Sequence, residues 1–519
     1  MPAGRWGAPA RGLAGTATGR AYDVVVFGAT GFTGQRVRWP PAQSTEGRRP
    51  PDAGRRKAQL TPPPPPLPPP PCWAQAAEYL AERARRAQSG APSGAAPPPL
   101  RVALAARSRQ RLEALQRRLA REHGLEGEPE GLGFGTLVAD TTDPASLRAM
   151  AATTRVLLSF VGPYSKFGMP VAEACFAEGA DLCDITGEAK YQKLIIDRFH
   201  DELTRKGQCF VTACGYESRT ERLRAIDTDK SGLRRYDSVP SDVATFLAVK
   251  ELERMGEAPR AVVLGVGAAK GGVSGGTIAS GIHALSDKEI SRFTHPHVLA
   301  DAGDAAGAPR KEPPKAPVVF FRGGFERWGH RGWLGPSIME SVNSKVVYRS
   351  ASLPWMRPLY GDLEYREGTL FASRLKAWAA AAALGLAVAV FWAVPHLLLR
   401  LGALPRPGEG PSKELRDTGF FNHYLLAESG DEDTYATVHV RGARGDPGYK
   451  TTAAMAAECA ICLAREKDSL PGAGGGVLTP ASCFGAAVVD YLKRAGVTFE
   501  VRGAGATAPA AAAAEVVRA

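Results

Sequence analysis

Near the start of the chain lies the stretch Asp23-Val24-Val25-Val26-Phe27-Gly28-Ala29-Thr30-Gly31-Phe32-Thr33-Gly34, which decides the fold. Its apolar run from Val24 to Phe27 is typical of a buried parallel strand. The three glycines that follow have the spacing G-x-x-G-x-x-G. Gly28 lets the chain turn sharply out of the strand, Gly31 leaves the backbone open to a pyrophosphate, and Gly34 lets the next helix pack against the strand.

This turn predicts a dinucleotide site, because the free N–H groups and the positive dipole end of the helix face the phosphates. The alternative is a tight strand-to-helix turn with no ligand. The position directly after a buried strand favours the dinucleotide. The cofactor contacts expected from this stretch are Gly28, Thr30, Gly31, Phe32, Thr33 and Gly34.

The composition allows two or three domains in 519 residues and gives a net charge of +12. Much of the excess is arginine in Pro-rich or helical sequence, which indicates a solvated surface, with anionic membrane lipid as the second interpretation. We expect no nucleic-acid partner, because no nucleic-acid-binding motif accompanies the charge. Eight cysteines without a secretory signal predict reduced thiols and an intracellular protein.

The termini and one internal segment depart from globular sequence. Residues 1–20 predict either an organellar targeting segment or a disordered tail, and the Ala-rich residues 504–519 predict a second disordered tail. Pro40 and Pro41 stop the dinucleotide helix after about one turn. Residues 38–75 are Pro/Arg-rich, and joining Val37 to Ala76 restores a continuous amphipathic helix. We therefore interpret 38–75 as an insertion, either a surface loop or a segment wrongly included in the gene model.

Five further strands and a helix are predicted, at Leu100–Ala106, Phe134–Ala139, Val156–Val161, Asp181–Glu188 (a strand and its following loop) and Cys209–Cys214, with the helix at Pro170–Gly179. Arg107 and Ser108 follow the second strand, where an NAD enzyme places a carboxylate. They suit a 2′-phosphate, which favours NADP over NAD, although Ser108 also suits a helix cap. Asp140 should lie near the adenine, and Gly162 and Pro163 should contact the cofactor at the carboxyl edge of the sheet.

Several motifs occur in order and resemble the saccharopine dehydrogenase-like oxidoreductase family, which is related to the bacterial trans-acting enoyl reductases. They are Gly28-Ala29-Thr30-Gly31-Phe32-Thr33-Gly34, the turn at Ala106, Val161-Gly162-Pro163-Tyr164, Asp184-Ile185-Thr186-Gly187-Glu188 and Asp237-Ser238-Val239-Pro240-Ser241-Asp242. The resemblance extends from Tyr22 to Val501. It implies a Rossmann-like domain and a link to glycolipid and complex-lipid biosynthesis, with members on lipid droplets, mitochondria and membranes.

The predicted architecture is therefore α/β. A Rossmann-like doubly wound parallel sheet in an NAD(P)-binding domain, 21–216, precedes a second α+β substrate and dimerisation domain, 237–503. Residues 217–236 form a charged insertion where the family runs two pieces together as one loop. We expect a homodimer as one alternative for the oligomeric state.

A hydrophobic helical segment, 377–399, lies in the second domain. It has about the length that a membrane span needs, with Trp378 and Trp392 as interfacial anchors and Arg374 and Arg400 at its flanks. We predict association with a membrane or lipid-droplet surface, with a buried soluble helix as the alternative.

The chemistry implied is hydride transfer from the nicotinamide, completed by a proton donor. Tyr164 is the first candidate donor, with Asp184 and Glu188 as alternatives, and a structural hydrogen bond is the other interpretation of each. The hydrophobic segment favours a lipid or acyl substrate, and no metal ligand set is predicted. The alternative function is a non-catalytic lipid-surface protein that keeps a dinucleotide-binding fold.

Overall fold

The computed structural model describes residues 19–28, 72–89, 100–123, 134–215, 238–271, 290–300, 333–337, 339–393, 412–431 and 433–504. The strands in these ranges are β1 (Tyr22–Phe27), β2 (Val102–Ala106), β3 (Phe134–Val138), β4 (Thr154–Ser159), β5 (Asp181–Asp184), β6 (Cys209–Val211), β7 (Pro259–Lys270), β8 (Trp333–Pro336), β9 (Glu364–Phe371), β10 (Phe420–Ser429), β11 (Tyr435–Gly442), β12 (Gly476–Leu478) and β13 (Val497–Ala504).

The α-helices in the same ranges are α1 (Cys72–Ser89), α2 (Arg109–Glu122), α3 (Pro144–Ala152), α4 (Tyr164–Glu178), α5 (Ala189–Lys206), α6 (Ser238–Arg254), α7 (Glu340–Ser352), α8 (Arg357–Tyr360), α9 (Arg374–Ala393), α10 (Lys413–Thr418), α11 (Thr452–Glu466), α12 (Pro480–Phe484) and α13 (Val488–Arg494). Short 3₁₀ turns lie at Ile290–Phe293, Lys467–Ser469, Pro471–Gly474 and Gly485–Ala487, and a π turn lies at Pro447–Thr451.

The first sheet is parallel throughout and has the strand order β12-β6-β5-β4-β1-β2-β3. The interior strand β1 is buried from Val24 to Phe27, because helices cover both faces of the sheet, as a continuous run of apolar side chains predicts. Chain order moves outward from β1 to β3 and then resumes on the other side of β1 at β4. This confirms the prediction of a Rossmann-like doubly wound sheet.

The seventh strand of this sheet comes from the far end of the chain. β12 pairs with β6 in parallel, with Val477 opposite Phe210. Helix α11, which also lies late in the sequence, packs against β1, β4 and β5. The range 237–503, predicted as a second domain, thus includes elements that complete the first sheet. Sequence reasoning missed β12 because three residues in Gly-rich sequence carry no periodic signal.

The second sheet is mixed, with the order β13-β11-β10-β7-β9-β8. Only the β7–β9 pair is parallel among its described strands. Helix α6 packs across β10, β11 and β13 on one face of the sheet. The main apolar core runs without a break from Val24 in the first sheet to Leu425 in the second.

The last four residues of the predicted insertion, 72–75, lie in helix α1, which begins at Cys72 and buries Ala74 and Gln75. The rest of the predicted insertion, 38–71, lies outside the described residues, as do 217–236, 1–18 and 505–519. Arg20, predicted as part of a tail, anchors the start of β1 by donating to the carbonyl of Ala151 at 2.8 Å.

The hydrophobic segment forms α9 from Arg374, and residues 394–399 lie outside the described part of the chain. Ala377 is buried under β8, whereas Leu375, Trp378 and Leu386 are 79%, 53% and 67% exposed. The described helices include none with the length and apolar character needed to cross a bilayer.

Candidate active site

The switch in strand order between β1 and β4 marks the place where doubly wound folds form a ligand crevice, at the carboxyl ends of these strands. Gly28 ends β1 and donates its N–H to the carbonyl of Ala105 at 3.1 Å. Phe160, just after β4, donates to the carbonyl of Phe27 at 2.8 Å. Gly28 and the turn Gly162–Pro163 therefore follow the carboxyl ends of two adjacent strands, at the switch point where doubly wound folds bind ligands. The predicted contacts Thr30, Gly31, Phe32, Thr33 and Gly34 lie outside the described residues.

Arg107 and Ser108 lie next to this crevice at the end of β2. Ser108 caps α2, and its hydroxyl accepts the N–H of Arg111 at 3.3 Å. Arg107 is half-buried, and its buried Nε has no hydrogen-bond partner within the described ranges. A buried guanidinium N–H that lacks an acceptor suits an anionic ligand, so this residue fits the phosphate of a dinucleotide.

Asp140 follows β3 at the same edge of the sheet. Its Oδ1 accepts the N–H and the hydroxyl of Thr142, each at 2.9 Å, and its own N–H donates to Ser146 Oγ at 3.1 Å. These contacts shape the turn before α3, whose cap is Asp143. The predicted contact of Asp140 with adenine stays a prediction.

Glu188 caps the N-terminus of α4, although it lies in a separate segment of the chain. Its two carboxylate oxygens accept the N–H groups of Tyr164 and Ser165 at 2.9 and 2.8 Å. The carboxylate thus binds the orphan donors and the positive end of the helix. Consequently α4 begins at Tyr164, six residues before the predicted start, and Pro170 lies inside it. The cap comes from a separate segment, which local sequence does not reveal.

The Tyr164 hydroxyl is directed into the protein. It donates to the carbonyl of Ser159 at 2.9 Å, and the N–H of Ile185 lies 3.4 Å from its oxygen. Its ring is buried 5.6 Å from that of Tyr191, measured between centroids. The described contacts of Tyr164 and Glu188 are those of structural hydrogen bonds, which was the second interpretation of each residue.

Asp184 ends β5 and is buried. Its Oδ1 accepts the N–H of Thr186 at 3.0 Å. Burial raises the pKa of this carboxyl from its ordinary value to about 7, against the lowering effect of the hydrogen bonds from the backbone of Thr186 and Ala213. The surroundings of Asp184 therefore set the pKa of its carboxyl for proton exchange near neutrality.

Sequence reasoning missed two features beside Asp184. Tyr191 on α5 lies close to the buried Asp184 carboxyl, and its ring fills the space above Gly168. Ala213 has φ = 60°, a left-handed conformation that costs energy for a residue with a Cβ. The sequence signal for the strain at Ala213 is its position at the strand end Thr212-Ala213-Cys214, because strained backbone is common at functional sites and these follow the ends of parallel strands.

A buried polar cluster in the second sheet was also missed. The Glu367 cluster, as we call it, has members on α6, α7, β9 and the end of β8: Ser238, Ser337, Asn343, Tyr365 and Glu367. Glu367 accepts from Asn343 Nδ2 at 2.7 Å, from the Tyr365 hydroxyl at 3.0 Å and from the Ser337 hydroxyl at 2.9 Å. Burial raises its pKa to about 7, against those hydrogen bonds.

The fold and the edge of the first sheet define an α/β protein with a Rossmann-like domain. Comparison with known proteins supports its class as an oxidoreductase. A Mycobacterium tuberculosis (strain ATCC 25618 / H37Rv) protein, named as a trans-acting enoyl reductase, is 31% identical over 509 residues, covering 93% of this chain and 98% of that protein. The trans-acting enoyl reductase of Mycobacterium leprae (strain TN) is 30% identical over 427 residues, covering 76% and 90%.

The chain therefore belongs to the trans-acting enoyl reductase family, and the resemblance predicted from its motifs is confirmed. No family model matches it. Among solved structures, saccharopine dehydrogenase (L-Glu forming) from Saccharomyces cerevisiae aligns over 93% of this chain and 100% of that chain, with 12% identity and a TM-score of 0.43. The fold assignment rests on the strand order of the chain itself.

Proposed function

We propose that the protein is an NADPH-dependent reductase of a lipid-linked or acyl substrate, working at a membrane or lipid-droplet surface inside the cell. The observation that carries the proposal is Arg107. Its buried Nε lacks a described acceptor at the end of β2, beside the crevice at Gly28. A guanidinium at that position suits the 2′-phosphate that separates NADP from NAD.

Binding of the two cofactors tests this proposal. We expect Arg107→Ala to weaken NADPH binding about tenfold or more and to leave NADH binding unchanged, because a charge-assisted hydrogen bond contributes about 1.5–3 kcal/mol. Fluorescence titration with both cofactors measures the effect, and Arg117→Ala, on the exposed side of α2, is the matched control. An equal loss for both cofactors would assign Arg107 to general phosphate binding, and no loss would contradict the NADP assignment.

The residues of this chain would have separate roles in the reduction. A bound nicotinamide supplies the hydride. Asp184, with its raised pKa, holds the proton that completes the reduction, and Tyr191 orients its carboxyl. Glu188 and Tyr164 fix the turn that carries Gly162 and Pro163.

The exposed side of α9 supports the membrane part of the proposal. Leu375, Trp378 and Leu386 expose apolar area to solvent, and Arg374 and Lys376 in the first turn suit anionic head groups. We expect the protein to co-sediment with phosphatidylcholine vesicles that contain phosphatidylserine, and Trp378→Ser to weaken this binding about tenfold. Leu194→Ser, at an exposed leucine of α5, is the control. Equal sedimentation of both variants would contradict a role for α9.

The second candidate is a non-catalytic lipid-surface protein that keeps the dinucleotide-binding fold. It is favoured by the structural hydrogen bonds of Tyr164 and Glu188, two of the three predicted proton donors. NADPH oxidation with crotonyl-pantetheine as the acceptor separates the two candidates. Turnover supports the reductase, whereas cofactor and vesicle binding without turnover of crotonyl or longer enoyl thioesters supports the second candidate.

A further inference from the structure

Strand β13 forms one outer edge of the second sheet. It pairs on one side with β11 in antiparallel register, with Val438 opposite Val501, and no strand in the described ranges pairs with its other side. Within the part of the chain that the structure describes, the outer side of this eight-residue strand presents N–H and C=O groups without a strand partner, which proteins normally cover, blunt or pair.

The side chains of β13 alternate between two environments. Val497 and Phe499 are buried against the helices α6 and α13, which both pack on this strand. Glu500 and Arg502 lie on the opposite face, are exposed, and approach each other to 3.9 Å. The edge therefore carries one negative and one positive charge, two residues apart, on the same face.

We propose that a second copy of this chain pairs with β13 across a two-fold axis at Val501. In an antiparallel pair, two residues that lie opposite each other either both direct their N–H and C=O groups at the partner strand or both direct them away from it. Two residues of identical strands can therefore lie opposite each other only when their residue numbers are both odd or both even. With the axis at Val501, Glu500 lies opposite Arg502 of the second copy, and Arg502 lies opposite its Glu500. The pairing forms two cross-strand ion pairs.

The neighbouring registers fail on charge. An axis at Glu500 places two carboxylates directly opposite each other, and an axis at Arg502 places two guanidinium groups opposite each other. Like charges in directly opposed positions destabilise an antiparallel pair. Of these three registers, the charges of β13 favour the axis at Val501, which joins the two six-stranded sheets into one continuous sheet. This interface is independent of the cofactor and of the proposed reaction.

Charge reversal in the full-length protein tests the inference. We expect a dimer by sedimentation equilibrium, and we expect Glu500→Arg and Arg502→Glu each to raise the dimer dissociation constant about tenfold or more, because each change makes both opposed pairs repulsive. The double variant Glu500→Arg/Arg502→Glu should restore the dimer. Arg117→Glu on α2 is the control, and thermal unfolding confirms that each variant is folded.

A monomeric native protein, or single variants that stay dimeric, would overturn the proposal. Single variants that dissociate without rescue by the double variant would overturn the register. Spin labels at Thr498→Cys give an independent measure of register, with labelled wild-type protein as the background. An axis at Val501 separates the two labelled backbones by about 20 Å, against about 13 Å for an axis at Glu500 and about 27 Å for one at Arg502.

Discussion

The two sheets place their ionisable groups differently. In the first sheet, Arg107, Asp140 and Asp184 follow or end the strands and lie along one edge. In the second sheet, Glu367 and His423 lie within strands and are buried. Burial lowers the pKa of His423 to about 3 and raises that of Glu367 to about 7. Asp184 at a strand end and Glu367 within a strand are both buried, but only Asp184 lies at the edge where doubly wound folds bind ligands.

Asp184→Asn should have the largest effect on activity, because an amide cannot donate the proton that the Asp184 carboxyl supplies at the edge of the first sheet. General acid catalysis contributes about 10²–10⁴-fold, so kcat should fall by that factor. The carboxyl holds its proton below about pH 7, so wild-type kcat should fall as the pH rises through that value, and the variant should lack this dependence. NADPH oxidation with crotonyl-pantetheine from pH 5 to 9 measures both.

Glu173→Gln, an exposed carboxyl on α4, is the control for that experiment. A value of kcat for Asp184→Asn within about threefold of wild type would contradict the assignment of the proton to Asp184.

The second sheet should respond to Glu367→Ala by loss of stability. Two buried donors, on Asn343 and Tyr365, and the half-buried hydroxyl of Ser337 lose their acceptor. Each unsatisfied buried group costs about 1–3 kcal/mol, so the free energy of unfolding should fall by about 2 kcal/mol or more. Urea denaturation measures it, and a loss below about 1 kcal/mol would contradict the hydrogen-bond network.

The same residue predicts a pH dependence. The pKa of Glu367 is higher in the folded state than its ordinary value of 4.5, so its contribution to stability is fully present at low pH and is lost as the pH rises through about 7. Glu367→Gln should flatten the part of the stability profile between those values. An unchanged slope in Glu367→Gln would show that another group titrates there.

Gly168→Ala tests the packing behind the first sheet's edge. An added Cβ would lie 2.6 Å from Tyr191 Cε2, which is too close for a buried ring to absorb without a shift. Overpacking of this kind costs about 1–3 kcal/mol. Gly162→Ala is the matched control, because its Cβ would meet the Tyr164 ring at an ordinary 3.6 Å. Equal unfolding free energies for the two variants would exclude the close approach at Gly168.

Glu188→Ala should have the smallest effect. Loss of a helix cap costs about 1 kcal/mol, and kcat should change far less than in Asp184→Asn. Glu202→Ala, an exposed carboxyl on α5, is the control in urea denaturation. A kcat loss comparable to that of Asp184→Asn would assign the acid role to Glu188. The distinction between a capping carboxylate and a catalytic carboxylate at this edge would then be wrong.

The sequence predicted the first sheet well, because β1 to β6 are apolar runs separated by turn residues. It also placed four candidate site residues at the edge formed by the carboxyl ends of the strands, because parallel strands all end at the same edge of a sheet. They are Arg107, Asp140, Gly162 and Asp184. It could not show that Glu188 caps α4 or that Asn343 meets Glu367, because those partners are far apart in the chain. Long-range pairing has no local signature, and the sites that depend on it appear only in the folded protein.

The pairing of β12 with β6 has a consequence for how the protein is made. A ribosome releases residues 22–211 long before residues 476–478, so β6 is an open edge during most of synthesis. An unpaired parallel strand in a partly finished domain is prone to aggregate, and a chaperone would have to shield it. A premature stop codon upstream of Gly476 would therefore damage the nucleotide-binding half as well as the half in which it occurs.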